Sequence, residues 1–169
     1  MLMSPEIQTT VVDPDIVDQT DLLACYKYWH DLTDGRMAPT WKEFHLYELP
    51  PILIPYIFVL DVENDSTEFS FRFWGSGHTY YYGSDYTGKK VGSIEQRWIS
   101  RVLQEQYLEV VDQRKPLVFK NKHQGIEEPL LSLQMPLSED GKTVTHIFSY
   151  LGWRDFYYRM LVLAAAKGR

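Results

Sequence analysis

The sequence predicts an α+β domain built on a five-stranded antiparallel sheet. Three observations carry this. Two strand-like runs lie close together at residues 56–74, three more follow at 117–151, and one long amphipathic stretch, 93–115, separates the groups. Two hairpin-like groups flanking a helical crossover give an antiparallel sheet with helices packed on it. The repeated strand–helix order of a parallel sheet is missing.

The elements follow in chain order. Residues 1–17 are polar, with Pro5 and Pro14 among acidic residues, and read as a flexible tail. Residues 18–152 read as a single domain. Thr20 is a candidate N-cap for a leading helix in which Leu22, Cys25, Tyr26, Trp29 and Leu32 recur at helical spacing, with Gly35 closing it. "APTWKEF" predicts a short second helix, with Thr40 and Glu43 as its capping box. "YIFVLDVE" (56–63) is a strand apolar on both faces, so both faces need cover. "FSFRFW" (69–74) alternates, which puts Phe69, Phe71 and Phe73 on one face and Ser70, Arg72 and Trp74 on the other. The glycine-broken stretch from Gly75 reads as short helical turns joined by bends. The long helix starts at Ser93, buries Ile99, Val102, Leu103, Tyr107 and Val110, and is stopped by Pro116. "LVFKN", "LLSLQMPL" and "TVTHIFSYL" are strands, the last two joined by a tight turn at "SEDG", 138–141. Residues 153–169 are helical by propensity.

Composition narrows the function. The chain has 169 residues, 44% of them apolar and 15% aromatic, which favours a packed body over disorder. A net charge of −6 argues against a nucleic-acid binder and an anionic membrane surface as partner. No apolar run approaches the roughly 20 residues of a membrane span, and the start lacks a signal peptide's pattern. Cys25 is the one cysteine, so neither an internal disulfide nor a thiolate-rich metal site is expected. The expectation is a cytoplasmic protein.

"GSDYTGKK" (83–90) almost matches a phosphate-binding loop: Gly83, four residues, Gly88, Lys89. Lys90 stands where the magnesium-binding Ser or Thr belongs, and neither a strand directly before nor a helix directly after frames the motif. "GSG" at 75–77 fails as a dinucleotide fingerprint, since Tyr80 replaces the third glycine. Asp85 and Thr87 are expected to bond local backbone N–H groups at a turn, with Gly88 at positive φ. Arg72 is expected to lay its stem on Trp74 and find a carboxylate or water.

The stretch "FRFWGSGHTYYYGSDYTGKKV" resembles an arginine-glycine-(helix)-glycine-Asp-x-Thr-Gly-basic pattern found in an alphaproteobacterial PAS-like family of largely uncharacterised proteins. "YKYWHDL", "ELPPILIPYIFVLDVE", "QYLEVVDQRKPL" and "MPLSEDGKTVTHIFSYL" fit the same family, over about residues 20–152. The resemblance implies a five-stranded PAS sheet, helices on one face with a long one across it, and an N-terminal cap helix. Tyr80–Tyr82 and Trp74 depart from the family pattern and bear on the volume of any pocket.

Tyr80, Tyr81, Tyr82 and Tyr86 read equally well as pocket lining and as a hydrophobic lid. The candidate ligand-binding residues are Phe71, Arg72, Phe73, His78, Tyr81, Tyr82, Tyr86, Trp98, Met135 and Phe148. His78 lies where a PAS haem ligand would sit, but a lone histidine reads more simply as a polar cap residue. Cys25 is in the wrong helix for a flavin adduct. Two functions remain. One is a standalone PAS-like sensory or regulatory domain that binds a small molecule or a signalling partner and acts by association, as a homodimer through its terminal helices. The other is a small enzyme of a cone-shaped α+β fold, with Asp61 paired to His78 or His146. A pocket where acid and base converge favours the enzyme; an apolar pocket, or no pocket, favours the sensor.

Overall fold

The structure is a computed structural model and describes residues 7–168. It is α+β. Strands β1 (Ile7–Val12), β2 (Ile57–Glu63), β3 (Glu68–Trp74), β4 (Leu117–His123), β5 (Leu130–Leu137) and β6 (His146–Leu151) form one sheet in the order β1-β4-β5-β6-β2-β3. Every pairing is antiparallel. Helices α1 (Thr20–Thr33), α2 (Ser76–Tyr82), α3 (Arg97–Gln113) and α4 (Trp153–Lys167) pack on it.

The sheet has six strands, not five. The extra strand, β1, lies in the stretch expected to be a flexible tail; residues 1–6 of that stretch fall outside the described residues. Its sequence, IQTTVV, is dominated by β-branched residues that suit a pleated edge. It pairs with β4 from Ile7↔His123 to Val12↔Val118 and so covers an edge that five strands would leave open.

The helices also occupy both faces, not one. On one face α1 buries Leu22, Cys25 and Trp29 against Val59, Leu133, Met135 and Phe148. On the other, α2, α3 and α4 cover Phe58, Phe71, Phe119 and Ile147. The cause is the strands' two-sided apolar character, already visible in β2, whose residues Ile57–Leu60 are all buried.

A β-bulge breaks the expected alternation of β3. Val59 faces Phe73 and Leu60 faces Phe71, which leaves Arg72 as the extra residue. Phe71 and Trp74 therefore join the α3 side, while Phe73 packs on the α1 side.

Helix ends differ from expectation in small ways. The residue before α1 is Gln19, with no side-chain cap, and Asp34 in the left-handed region ends the helix just before Gly35. Thr40 and Glu43 make the reciprocal bonds of a capping box, yet the chain there only turns. A 3₁₀ turn at Val91–Ser93 precedes α3, which begins four residues later than Ser93. The β5–β6 connection spans 138–145 and is longer than a tight turn; Asp140 organises it by accepting from the backbone N–H of Lys142 and Thr143.

Candidate functional site

The glycine-rich loop is committed to structure. Asp85 Oδ1 accepts from the Thr87 backbone N–H (2.8 Å) and hydroxyl (2.7 Å). Those bonds hold the Asp85 carboxyl below its usual range. Gly88 has φ 74° and donates its N–H to the Phe71 carbonyl at 2.7 Å, while the Phe71 N–H bonds the Lys89 carbonyl at 2.9 Å. The loop thus pairs with the outer edge of β3. Lys89 lies over the Tyr86 ring and Lys90 pairs with Glu68. The Gly88 N–H and both lysine ammoniums, which a phosphate cradle would use, are already engaged.

Gly75 and Gly77 have a different duty. A Cβ on Gly75 would stand 2.4 Å from the Pro55 carbonyl oxygen, and one on Gly77 2.8 Å from it. Only glycine lets α2 lie this close to the 3₁₀ segment Pro51–Tyr56.

The candidate site is a chamber of about 60 Å³ between the sheet and α2, α3 and α4. Its apolar wall includes Tyr81, Tyr82, Trp98, Ile99, Val102 and Leu103 from the helices, with Ile7, Leu130 and Leu151 from the sheet. Its polar lining residues are Gln106, Asn121, His123 and Ser132, with Trp153 beside them. Gln106 Nε2 donates to Asn121 Oδ1 at 2.7 Å, and Asn121 Nδ2 to Ser132 Oγ at 3.2 Å. Ser132 Oγ closes the ring onto Gln106 Oε1 at 3.4 Å, and Thr9 adds a bond to Asn121 Oδ1 from β1.

Two polar atoms of the lining residues stay outside that ring. Trp153 Nε1 and His123 Nδ1 are buried and make no well-formed hydrogen bond among the described residues. Leaving such an atom unpaired costs about 1–3 kcal/mol, and both lie beneath the surface that a water-sized molecule reaches. Burial lowers the pKa of His123, and the Asn121 backbone opposes this only in part, so the ring is neutral at pH 7. Trp153 also stacks on Tyr81 at 4.3 Å, and Tyr81 on Tyr157 at 5.4 Å. The first turn of α4 therefore forms one aromatic column with α2.

The structure brings three of the ten sequence candidates to this chamber: Tyr81, Tyr82 and Trp98. Phe71, Tyr86 and His78 are on the same side of the sheet but belong to the adjoining aromatic core around Trp74. His78 is 0% exposed and stacks on Phe58 at 3.8 Å. Burial depresses its pKa to about 3, with the Tyr56 carbonyl opposing, and neither ring nitrogen makes a well-formed hydrogen bond. Phe73, Met135 and Phe148 line the opposite core under α1. Arg72 leaves Trp74 alone: Nε bonds Asp61 at 2.6 Å and the guanidinium lies 5.7 Å from the Trp41 ring centroid. The bulge is what redirects it.

Gln106, Asn121, His123, Ser132 and Trp153 were missed. The available signal was a polar residue at a buried-stripe position, Gln106 next to Tyr107 on α3; Asn121, His123 and Ser132 lie on the inward face of their strands, which the sequence does not mark.

Of the two acid–base pairs, Asp61 meets His146, its cross-strand partner, with Nε2 3.3 Å from Oδ1. Trp41 stacks on that imidazole at 5.6 Å. Burial lowers the His146 pKa, opposed by Asp61 and Glu139 and reinforced by Arg72. His78 lies on the other side of the sheet from Asp61. Comparison with protein-family models, with curated proteins and with solved structures returns no match for this chain.

Proposed function

We propose that this chain is a PAS-like sensory or regulatory module that binds a small molecule in the chamber beneath α3 and signals by association through α4. One observation carries the reading. A largely apolar chamber has the first residue of the terminal helix in its wall. A ligand there touches the root of α4 directly. The five strands β2–β6, the long helix across one face and the leading helix α1 also fit what the family resemblance implies.

The proposed dimer uses α4 alone. Trp29 of α1 is buried within its own chain, its Nε1 donating to the Pro136 carbonyl at 2.7 Å. On α4, Trp153 and Phe156 are likewise buried, but Tyr158, Leu161 and Val162 are 68%, 70% and 51% exposed at helical spacing. A stripe of this kind is more than a lone surface helix needs, and a second copy of α4 is its simplest cover. Among the described residues no helix is long and apolar enough to cross a membrane.

The enzyme reading retains one observation, the Asp61–His146 pair. Arg72 shares the same carboxylate oxygen, which ties that group into an ion pair.

Native mass spectrometry of freshly purified protein, repeated after incubation with a deproteinised cell extract, tests the proposal. The expected result is an added mass lost on denaturation, absent from a Leu103→Trp variant that fills the chamber, and unchanged in His146→Ala. Retention that depends on His146 and not on Leu103 would move the function to the Asp61 pair. No added mass, with melting unchanged by the extract, would contradict ligand binding altogether.

A further inference from the structure

We propose that the outer edge of β1 is an interface between two copies of this chain, joined as antiparallel strands with Thr9 on the twofold axis. This contact is separate from the one through α4 and does not depend on the chamber.

The two edges of the sheet are finished differently. The chain itself closes β3. There the Gly88 N–H bonds the Phe71 carbonyl, the Phe71 N–H bonds the Lys89 carbonyl, and Lys90 bridges to Ser70. The bulge at Arg72 is a second obstacle to any added strand. Neither device protects β1. It ends the sheet order, and no described segment pairs with its outer side. Its six residues, IQTTVV, include no charge, proline or glycine. All six pair with β4 in one unbroken register, so no bulge turns the edge away. Native proteins blunt a free edge with charge, proline, a bulge or a covering loop. An uncharged, β-branched edge without them is a template for another strand. Gln8–Val11 are exposed, Val11 by 47%.

The strand's own chemistry selects a second copy as the occupant. Ile7 lines the chamber and Thr9 bonds Asn121, so Ile7, Thr9 and Val11 face the α3 side. Val12 packs on the α1 core, so Gln8, Thr10 and Val12 face that side. A twofold axis normal to the sheet keeps each set on its own face, and residues of the same set oppose one another. With Thr9 on the axis, Val11 meets the partner's Ile7 and Thr10 meets the partner's Gln8. Apolar then opposes apolar, polar opposes polar, and no like charges meet. With Thr10 on the axis, Val11 would oppose a threonine and Val12 a glutamine.

Reversible disulfide exchange in a glutathione buffer, on the full chain, tests the pairing. Cys25 is buried and stays in place. Directly opposed Cα atoms of an antiparallel pair lie about 4.5–5.5 Å apart, within reach of a disulfide. Diagonal positions lie about 7–8 Å apart, out of reach. Thr9→Cys should therefore give a covalent dimer, and Thr10→Cys should not. Sedimentation supplies the second arm. A Leu161→Asp chain, which loses the α4 contact, should still dimerise, and adding Thr10→Lys or Val11→Lys should make it monomeric. Amide spectra of the two lysine variants check that β1 keeps its pairing with β4. Cross-linking of both cysteine variants alike, of Thr10→Cys alone or of neither overturns the inference, as does a dimer indifferent to both lysines. A monomeric Leu161→Asp chain overturns it too: α4 alone then holds the dimer, and the edge is left to a strand of another protein or to none.

Discussion

The two faces of the sheet differ in how completely they are filled. Under α1 the packing is dense and almost wholly apolar. Phe44 meets Phe148 at 4.7 Å, and the one tryptophan buried there has its N–H bonded to a carbonyl. Under α3 the strands turn Asn121, His123, Ser132, Gln134 and Ser149 inward, a chamber opens, and several buried polar atoms are unpartnered among the described residues. Tyr107 shows the difference within one side chain: its ring is core and its hydroxyl lacks a well-formed bond, although Ser149 is close enough to temper the rise that burial gives its pKa. A face built only for stability would not carry these groups, since each costs free energy that a leucine would not. The α1 face holds the sheet in shape; the α3 face carries unpartnered polar atoms at a cost in stability.

Substitutions on each side test that contrast. The largest effect belongs to the filled face. Phe148→Ala should cost about 3–5 kcal/mol, read as a lower urea midpoint, because its ring is fully buried and its removal leaves a cavity. Gly75→Ala comes next, at about 1–3 kcal/mol, since its methyl would meet the Pro55 carbonyl and push α2 outward. On the chamber face, Gln106→Leu should cost less than about 1.5 kcal/mol despite full burial, because the bonds it loses to Ser132 and Gln134 are long and Asn121 keeps Thr9. A cost matching that of Phe148→Ala would erase the distinction between the faces.

The smallest effect depends on pH and concerns the loop that follows α1. Arg36, with the Thr40 backbone N–H and hydroxyl, holds the Glu43 carboxyl at about 2, down from 4.5. A depressed carboxyl contributes stability that is complete above the unfolded value and is lost as pH falls through the folded one. The loss therefore runs from about pH 4.5 down to about pH 2. The group is well exposed, so solvent screening keeps the effect small. Urea unfolding of Glu43→Gln should show a shallower slope across that window than the parent and match its slope at neutral pH.

Local chemistry was the most legible part of the sequence. The Asp85 turn and the reciprocal Thr40–Glu43 bonds depend on neighbours a few residues apart, and they stand as expected. Period and order were enough for α3, α4 and the five strands β2–β6. What was lost needed distant partners. The prolines and acids around IQTTVV masked a strand that exists because β4 offers it an edge. "FSFRFW" alternates without fault, so only pairing with β2 reveals the bulge that parts Phe73 from Phe71. Asn121 and Ser132 sit at period-two positions, and nothing local distinguishes an inward polar residue from an outward one.

Trp29 and Trp153 sample the two faces with the same chemical group, one bonded to a carbonyl and one unpartnered. The most direct measurement follows both indole N–H resonances by two-dimensional NMR as a deproteinised cell extract is added. The account predicts that the Trp153 signal moves, together with those of Trp98 and the first turn of α4, while the Trp29 signal stays in place. Movement of Trp29 with Trp153 unchanged, or no movement of either, would contradict the assignment of binding to the α3 face.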